Sequence, residues 1–363
     1  MSVENTFKIS HCMKLSWRGW LVSGVMLAGI MFVVPQMWSF GISREIVQSL
    51  RIPYELSTDY WYYQCFVKKN CQEFPNVIVG DSFIWGEYVD SNNTLSACLN
   101  KVSGKKDFAN LGVNGLHPMA AYGLIKYHGS DISGKKIILF FNPLWIQSPE
   151  IDLQGRDEIG LQHTKLIPQF DSQFKCYQAK TDERLSSIAE RYCSWIGFAN
   201  YINTVYLDGL GVKKWSMENP GIISKKMSYS LAQLTAGSNS IHTPAESWQQ
   251  RGLEPSDYSW VNLTKSNHWK YWKKTINVLK KRNNKVFVLV GSFNPYLMTP
   301  ESAGKYQLLI SEIQNELDGM NVPYFFVPDL PSEYYTDASH VDGRGYKIIA
   351  EQMTKNDKFK NWY

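Results

Sequence analysis

Apolar positions in this chain come in short runs that stop at turn-forming residues. Residues 76–79 (NVIV) end at Gly80-Asp81-Ser82, 135–141 (KKIILFF) at Asn142-Pro143, 285–290 (KVFVLV) at Gly291-Ser292, and 322–327 (VPYFFV) at Pro328-Asp329. Each pattern predicts a buried strand closed by a turn. Residues 107–110, ahead of Gly112 and Gly115, form a shorter strand candidate. Helical patterns cover 95–103, 117–128, 300–317 and 343–355, and two further helices are predicted near 181–199 and 264–281. Strands alternating with helices predict parallel βαβ units, hence a three-layer α/β/α fold whose mostly parallel sheet is covered on both faces. From Trp145 to Asn284 the alternation loosens. That stretch, 145–284, reads as a helical, aromatic-rich insertion, far longer than the about 12–15 residues of an ordinary loop.

The N-terminus follows a different pattern. No charge falls between Arg18 and Arg44, and residues 19–43 are mostly apolar. At 1.5 Å per residue such a helix reaches about 37 Å, against a hydrocarbon core of about 30 Å. Trp17, Trp20 and Trp38 sit near its ends, where amphipathic rings favour the headgroup region. Lys8, Lys14 and Arg18 precede the span, while charges of both signs follow it. The positive-inside rule therefore predicts a single-pass anchor with residues 1–18 cytoplasmic, 44–75 as a stalk or irregular lead-in, and 76–363 as an extracytoplasmic domain, periplasmic or at the cell surface. A cleaved signal peptide is the rival reading; the absence of an A-x-A-like site after the run favours the uncleaved anchor.

Composition narrows the classes. With 363 residues, 44% of them apolar, the chain is long and apolar enough for a packed globular body. Its 38 basic and 33 acidic side chains are interspersed, so no nucleic-acid footprint is expected. Cys12 would face the cytoplasm, leaving Cys65, Cys71, Cys98, Cys176 and Cys193 outside; sequence does not choose among the arrangements of two bridges and a leftover thiol, of which Cys65–Cys71 and Cys176–Cys193 are the local candidates. No C-x-x-C occurs and the histidines are scattered, so neither a metal site nor a cofactor is expected.

Four places combine a strand end with a reactive or donating group. Gly80-Asp81-Ser82 offers a hydroxyl on a tight turn, read either as a nucleophile or as a helix N-cap. Of the histidines, only His340 has an aspartate three positions earlier, Asp337, close enough to reach imidazole Nδ1 and hold the tautomer whose Nε2 accepts a serine proton. Gly112 offers a backbone N–H, and Asn142 a side-chain amide, to a tetrahedral oxyanion. Both also read as ordinary turn residues. In open parallel sheets these loops share one rim, outside the carboxyl ends of the strands.

Taken in order, Gly80-Asp81-Ser82, Asn110-x-Gly112-x-x-Gly115, Asn142 after a strand and Asp337-x-x-His340 resemble the four blocks of the SGNH hydrolase (GDSL-like) superfamily of esterases and acyltransferases. The resemblance covers about residues 76–145 and 285–355. It implies Ser82 as nucleophile, His340 as base and Asp337 as its orienter, with Ser82 N–H, Gly112 N–H and the Asn142 amide as the oxyanion hole. The Pro143-x-Trp145 that follows Asn142, the single N-terminal anchor and the Gly343-x-Gly345-Tyr346 after His340 are similar to the membrane-anchored D-alanine transfer and alginate O-acetylation proteins. That likeness implies O-acylation of a cell-surface polysaccharide or polymer, with acetyl or D-alanyl groups, beside a membrane-bound O-acyltransferase that supplies the acyl group. The G-x-S-x-G elbow is absent, since Ile84 stands where its second glycine would be.

Alternatives stay open at this level. The same residues serve a carbohydrate esterase, and a degenerate site would leave a non-catalytic anchor that binds a glycan or a partner. Trp145, Trp269 and Trp272 are candidates for stacking on sugar rings, or equally for packing on the core.

Overall fold

The computed structural model describes residues 15–46, 50–157, 160–207, 209–218 and 243–363. Lys8, Cys12 and Lys14, and residues 219–242 of the expected insertion, lie outside the described residues. The chain divides into an N-terminal unit ending at Gly41 and a body running from Ile42 to Tyr363.

The N-terminal unit is built on helix α1 (Trp17–Ile46), interrupted by no charge between its first turn and Arg44. Its 27-residue stretch Trp17–Ser43 is long and apolar enough to cross a membrane, a property shared by anchors and signal sequences. Val25, Met26, Phe32 and Phe40 are exposed along it. Among the described residues 6% of its most apolar window is buried, which is not the environment of a soluble core helix.

In the body, α2 (Tyr60–Glu73), β1 (Asn76–Val79), α3 (Ser82–Trp85), α4 (Leu95–Ser103), β2 (Phe108–Asn110), α5 (Pro118–His128) and β3 (Lys136–Phe141) come first. Helices α6 (Thr181–Tyr192), α7 (Ser194–Tyr206) and α8 (Gly211–Glu218) form the helical part of the insertion. Then follow α9 (Asn267–Lys281), β4 (Lys285–Val290), α10 (Pro300–Gly319), β5 (Tyr324–Phe326), α11 (Gly343–Lys355) and α12 (Asp357–Trp362).

The five strands form one parallel sheet in the order β2-β1-β3-β4-β5. In register, Val77 faces Ala109 on one side and Ile137 on the other, Ile138 faces Phe287, and Val290 faces Phe326. Alternate strand residues point to opposite faces. Ile78, Ile138, Phe140, Phe287 and Leu289 pack with Leu99 of α4 and Ile349 and Met353 of α11. On the other face Phe141 meets Trp269 and Trp272 of α9, which also packs against α5. The strand order reverses between β1 and β3, and their carboxyl ends open the crevice where doubly wound sheets bind ligands.

Several expected boundaries move. The stretch 44–75 contains α2, whose N-cap Asp59 accepts from Tyr62 N–H at 2.8 Å and which buries Tyr62, Tyr63, Phe66 and Val67, so it belongs to the packed body. Helix α9 is the crossover between β3 and β4, so the insertion ends before Asn267. The helix expected near 181–199 breaks at Cys193, whose extended backbone (φ −116°, ψ 97°) ends α6 and starts α7. Both expected disulfides are absent, and the five described cysteines are free thiols. Cys65 and Cys71 lie six residues apart on α2, a rise of about 9 Å, beyond the about 7 Å that a disulfide spans between Cα atoms. Cys176 is buried with Met119, Leu153 and Ile167, while Cys193 sits partly exposed at the α6–α7 break.

Candidate active site

Ser82 owes its position to the two residues before it. A Cβ on Gly80 would stand 2.4 Å from Ile84 Cγ1 and 2.8 Å from Phe140 Cβ, so only glycine lets β1 turn this tightly against β3. Asp81, rather than Ser82, is the N-cap of α3 and accepts from Phe83 N–H at 3.0 Å. The Ser82 hydroxyl is thereby left for another partner. It lies 2.7 Å from Nε2 of His340, 258 residues away in sequence.

His340 is held by a local turn tied to the sheet. Tyr335 and Val341 bridge in antiparallel fashion, and Thr336 N–H donates to the His340 carbonyl at 3.0 Å. Asp337 Oδ1 accepts from the N–H groups of Ser339 and His340, both at 2.9 Å. Its carboxylate faces His340 Nδ1 at 2.8 Å through Oδ2 and 2.9 Å through Oδ1. Asn294, just after β4, fastens the turn from behind: its N–H donates to the Ala338 carbonyl at 2.8 Å and its amide to the Asp337 carbonyl at 3.1 Å. Two groups not foreseen from the sequence complete the surroundings. Tyr88 donates its hydroxyl to Asp337 Oδ2 at 3.1 Å, and Arg251, stacked over the Tyr88 ring at 4.7 Å, reaches to 3.9 Å from the same oxygen. Neither has a recognisable motif, because each meets Asp337 only through the fold.

Electrostatics follow from burial and pairing. Ser82 and His340 are each 9% exposed. Burial pushes the Asp337 carboxyl up, but the His340 charge and hydrogen bond and the two backbone N–H groups outweigh it, leaving Asp337 well below the usual carboxylate range. Burial likewise opposes a proton on His340, yet Asp337 overrides it and, with Asp81 and Glu87, holds the imidazole above its ordinary value. Asp81 goes the other way. Its burial raises it, against the donors Trp145, Asn142 and Phe83.

The expected oxyanion donors have separate fates. Gly112 N–H donates to Asn110 Oδ1 at 2.9 Å, and a Cβ there would meet Trp85 N at 2.4 Å. Its single hydrogen is committed, so Gly112 packs the loop against α3 instead of serving as a donor. Asn142 gives one amide hydrogen to Asp81 Oδ2 at 2.9 Å while its Oδ1 accepts from Leu144 N–H at 3.0 Å; a second amide hydrogen remains. For Ser82 N–H no acceptor is present among the described residues.

The three tryptophans are not an exposed platform. The Trp145 indole Nε1–H donates to Asp81 Oδ2 at 2.9 Å, so this partly buried ring braces the turn that carries Ser82. Trp269 and Trp272 are each 1% exposed and stack on one another at 4.9 Å. Their apolar faces fill the space between α9 and β3, with the Trp272 indole Nε1–H on the Phe140 carbonyl at 3.2 Å. They are core residues, because the α9 face that carries them is the face turned to the sheet.

The arrangement sets a hydroxyl against an imidazole nitrogen whose ring is oriented from behind by a carboxylate, which is the geometry for removing the hydroxyl proton. Among the described residues no group of three or more His, Cys, Asp or Glu is placed to hold a metal ion. No family model matches the chain, and no curated protein matches it.

Proposed function

We propose that this chain is a membrane-anchored serine O-acyltransferase of the SGNH type that modifies a cell-surface polymer outside the cytoplasm. The observation that carries the reading is the 2.7 Å approach of Ser82 Oγ to His340 Nε2, with Asp337 on the far nitrogen. His340 takes the Ser82 proton as Oγ attacks the acyl carbonyl carbon. Ser82 N–H and the remaining Asn142 amide hydrogen face the oxyanion; collapse expels the donor's leaving group, which takes the proton from His340. A sugar or polyol hydroxyl then gives its proton to His340 and attacks the acyl-enzyme, returning Ser82 to its starting state. The membrane-spanning length of α1 supports work at the membrane, where a membrane-bound O-acyltransferase partner would supply the acetyl or D-alanyl group.

The test uses the full-length protein in detergent with p-nitrophenyl acetate as donor and a soluble oligosaccharide as acceptor. Intact-mass analysis is expected to find one acetyl adduct confined to Ser82, and acetylated oligosaccharide that disappears in Ser82→Ala. Rapid release of acetate with no acylated acceptor would make the protein an esterase, and wild-type turnover in His340→Ala would remove the mechanism altogether.

A further inference from the structure

The loop after β2 lies against the Ser82 turn and has a support of its own. Val113 N–H donates to the Gly80 carbonyl at 3.0 Å, and Gly112 touches the backbone of Ile84 and Trp85. Between Leu111 and His117 the N–H groups of residues 111, 112, 113, 116 and 117 all have acceptors. Those of Asn114 and Gly115 have none among the described residues. Gly115 is buried, and a buried backbone donor left open on the loop that lies against the Ser82 turn calls for an explanation.

The carbonyl of that same Asn114–Gly115 peptide is gripped from outside the sheet. His163 Nε2 lies 2.7 Å from the Asn114 oxygen, and His163 Nδ1 lies 3.1 Å from the Tyr60 hydroxyl. Burial holds the His163 imidazole below its ordinary value, so the ring is neutral. A carbonyl oxygen only accepts, so Nε2 carries the proton, Nδ1 accepts, and the Tyr60 hydroxyl donates. His163 adopts a left-handed backbone (φ 56°, ψ 33°) that a residue with a Cβ takes only under constraint. The three groups make a directed chain: Tyr60 O–H to His163, His163 N–H to the Asn114 carbonyl, and through the amide to Gly115 N–H. A hydrogen bond on a peptide carbonyl strengthens the N–H at the other end of the amide, by roughly 10–30% per bond in a low-dielectric setting.

We infer that Tyr60 and His163 are positioning residues that fix and polarise the Asn114–Gly115 peptide so that Gly115 N–H serves as a donor to the oxyanion formed at Ser82. This inference rests on the acyl-transfer reading above. It also gives a role to α2 and the insertion, which supply Tyr60 and His163 to a site otherwise built on the sheet.

The test measures p-nitrophenyl acetate turnover by the full-length protein in detergent, together with inhibition by a trifluoromethyl ketone that forms a tetrahedral adduct on Ser82. Loss of a whole oxyanion donor costs about 10²–10³ in kcat; weakening one through its support is expected to cost about tenfold in His163→Ala and about threefold in Tyr60→Phe. KM should stay within about twofold, and ketone affinity should fall by the same factor as kcat, since both report the oxyanion. His163→Gln, which keeps an N–H for the Asn114 carbonyl, should recover most of the loss. Unchanged kcat in folded His163→Ala, or a fall in kcat with ketone affinity untouched, overturns the inference. Should His163→Ala not fold, the isosteric Tyr60→Phe decides by the same two readouts. Ser82→Ala, assayed alongside, separates the failures: an active Ser82→Ala removes the acyl-transfer reading and this inference together, whereas an inactive one with normal His163→Ala removes the inference alone.

Discussion

Asp337 shows how much a single carboxylate can settle. Its Oδ1 accepts from two backbone N–H groups and stands 2.9 Å from His340 Nδ1, while Oδ2 faces Nδ1 at 2.8 Å and accepts from Tyr88. An asparagine at this position would keep its oxygen toward the backbone donors and turn its NH₂ toward His340. The imidazole would then carry its proton on Nε2, facing Ser82 with a donor where an acceptor is needed. On the proposed mechanism Asp337→Asn is therefore expected to lower kcat by about 10⁴ near neutral pH, the cost when a Ser-His-Asp triad loses the correct tautomer. The pH profile carries a sign as well. A general base works when neutral, so wild-type kcat/KM should rise with pH through a His340 pKa that Asp337 holds above the ordinary value. Without the Asp337 charge, burial dominates and the acid limb of Asp337→Asn should move to lower pH. A pH–rate series with p-nitrophenyl acetate checks both, and an unmoved acid limb would show that His340 is not the base.

At the level of elements, α9 separates two uses of the same residues. Trp269, Trp272, Ile276 and Leu279 recur at helical spacing and are all buried, on a helix whose lysines face outward. An amphipathic pattern of this kind specifies a face and not what covers it. Here the sheet covers it. Trp272→Ala is expected to cost about 3–5 kcal/mol of stability, the range for removing a large buried aromatic. Denaturant unfolding of the full-length protein measures this, and an unshifted midpoint with weakened acceptor binding would instead restore a sugar-stacking role. Helix α2 makes the same point in reverse: its mixed, aromatic sequence has no clean periodicity, yet it packs against α5 and α7 and carries Tyr60 to His163.

For the molecule as a whole, α1 is the element on which the choice between a membrane anchor and a signal sequence rests. Its apolar residues are exposed among the described residues, and transfer into a bilayer would remove that surface from water. The intact protein is expected to stay with the membrane fraction through an alkaline carbonate wash and to retain its N-terminal residues by mass spectrometry. A soluble product beginning after residue 43 would identify the segment as a cleaved signal sequence and place the body free of the membrane.

The amino-acid sequence by itself determined the elements that depend on short-range physics. Apolar runs closed by Gly, Asn or Pro located four strands and the shorter candidate ahead of Gly112 the fifth, Leu95–Ser103 and Gly343–Lys355 formed as helices over the expected residues, and Asp337 met His340 because three residues of one turn separate them. Alternation of strand and helix was enough to specify a parallel α/β sheet. Tertiary structure decided whatever depends on partners distant in the chain: the meeting of Ser82 with His340, the supply of Tyr88 and Arg251 to Asp337, and the covered side of the tryptophans. It also decided that Gly112 N–H turns inward to Asn110 while Gly115 N–H has no acceptor among the described residues, and that the five described cysteines remain unpaired. The reason is directional. A residue's spacing sets which elements form, but a hydrogen atom or a ring face has one direction, and only the packed chain determines what lies along it.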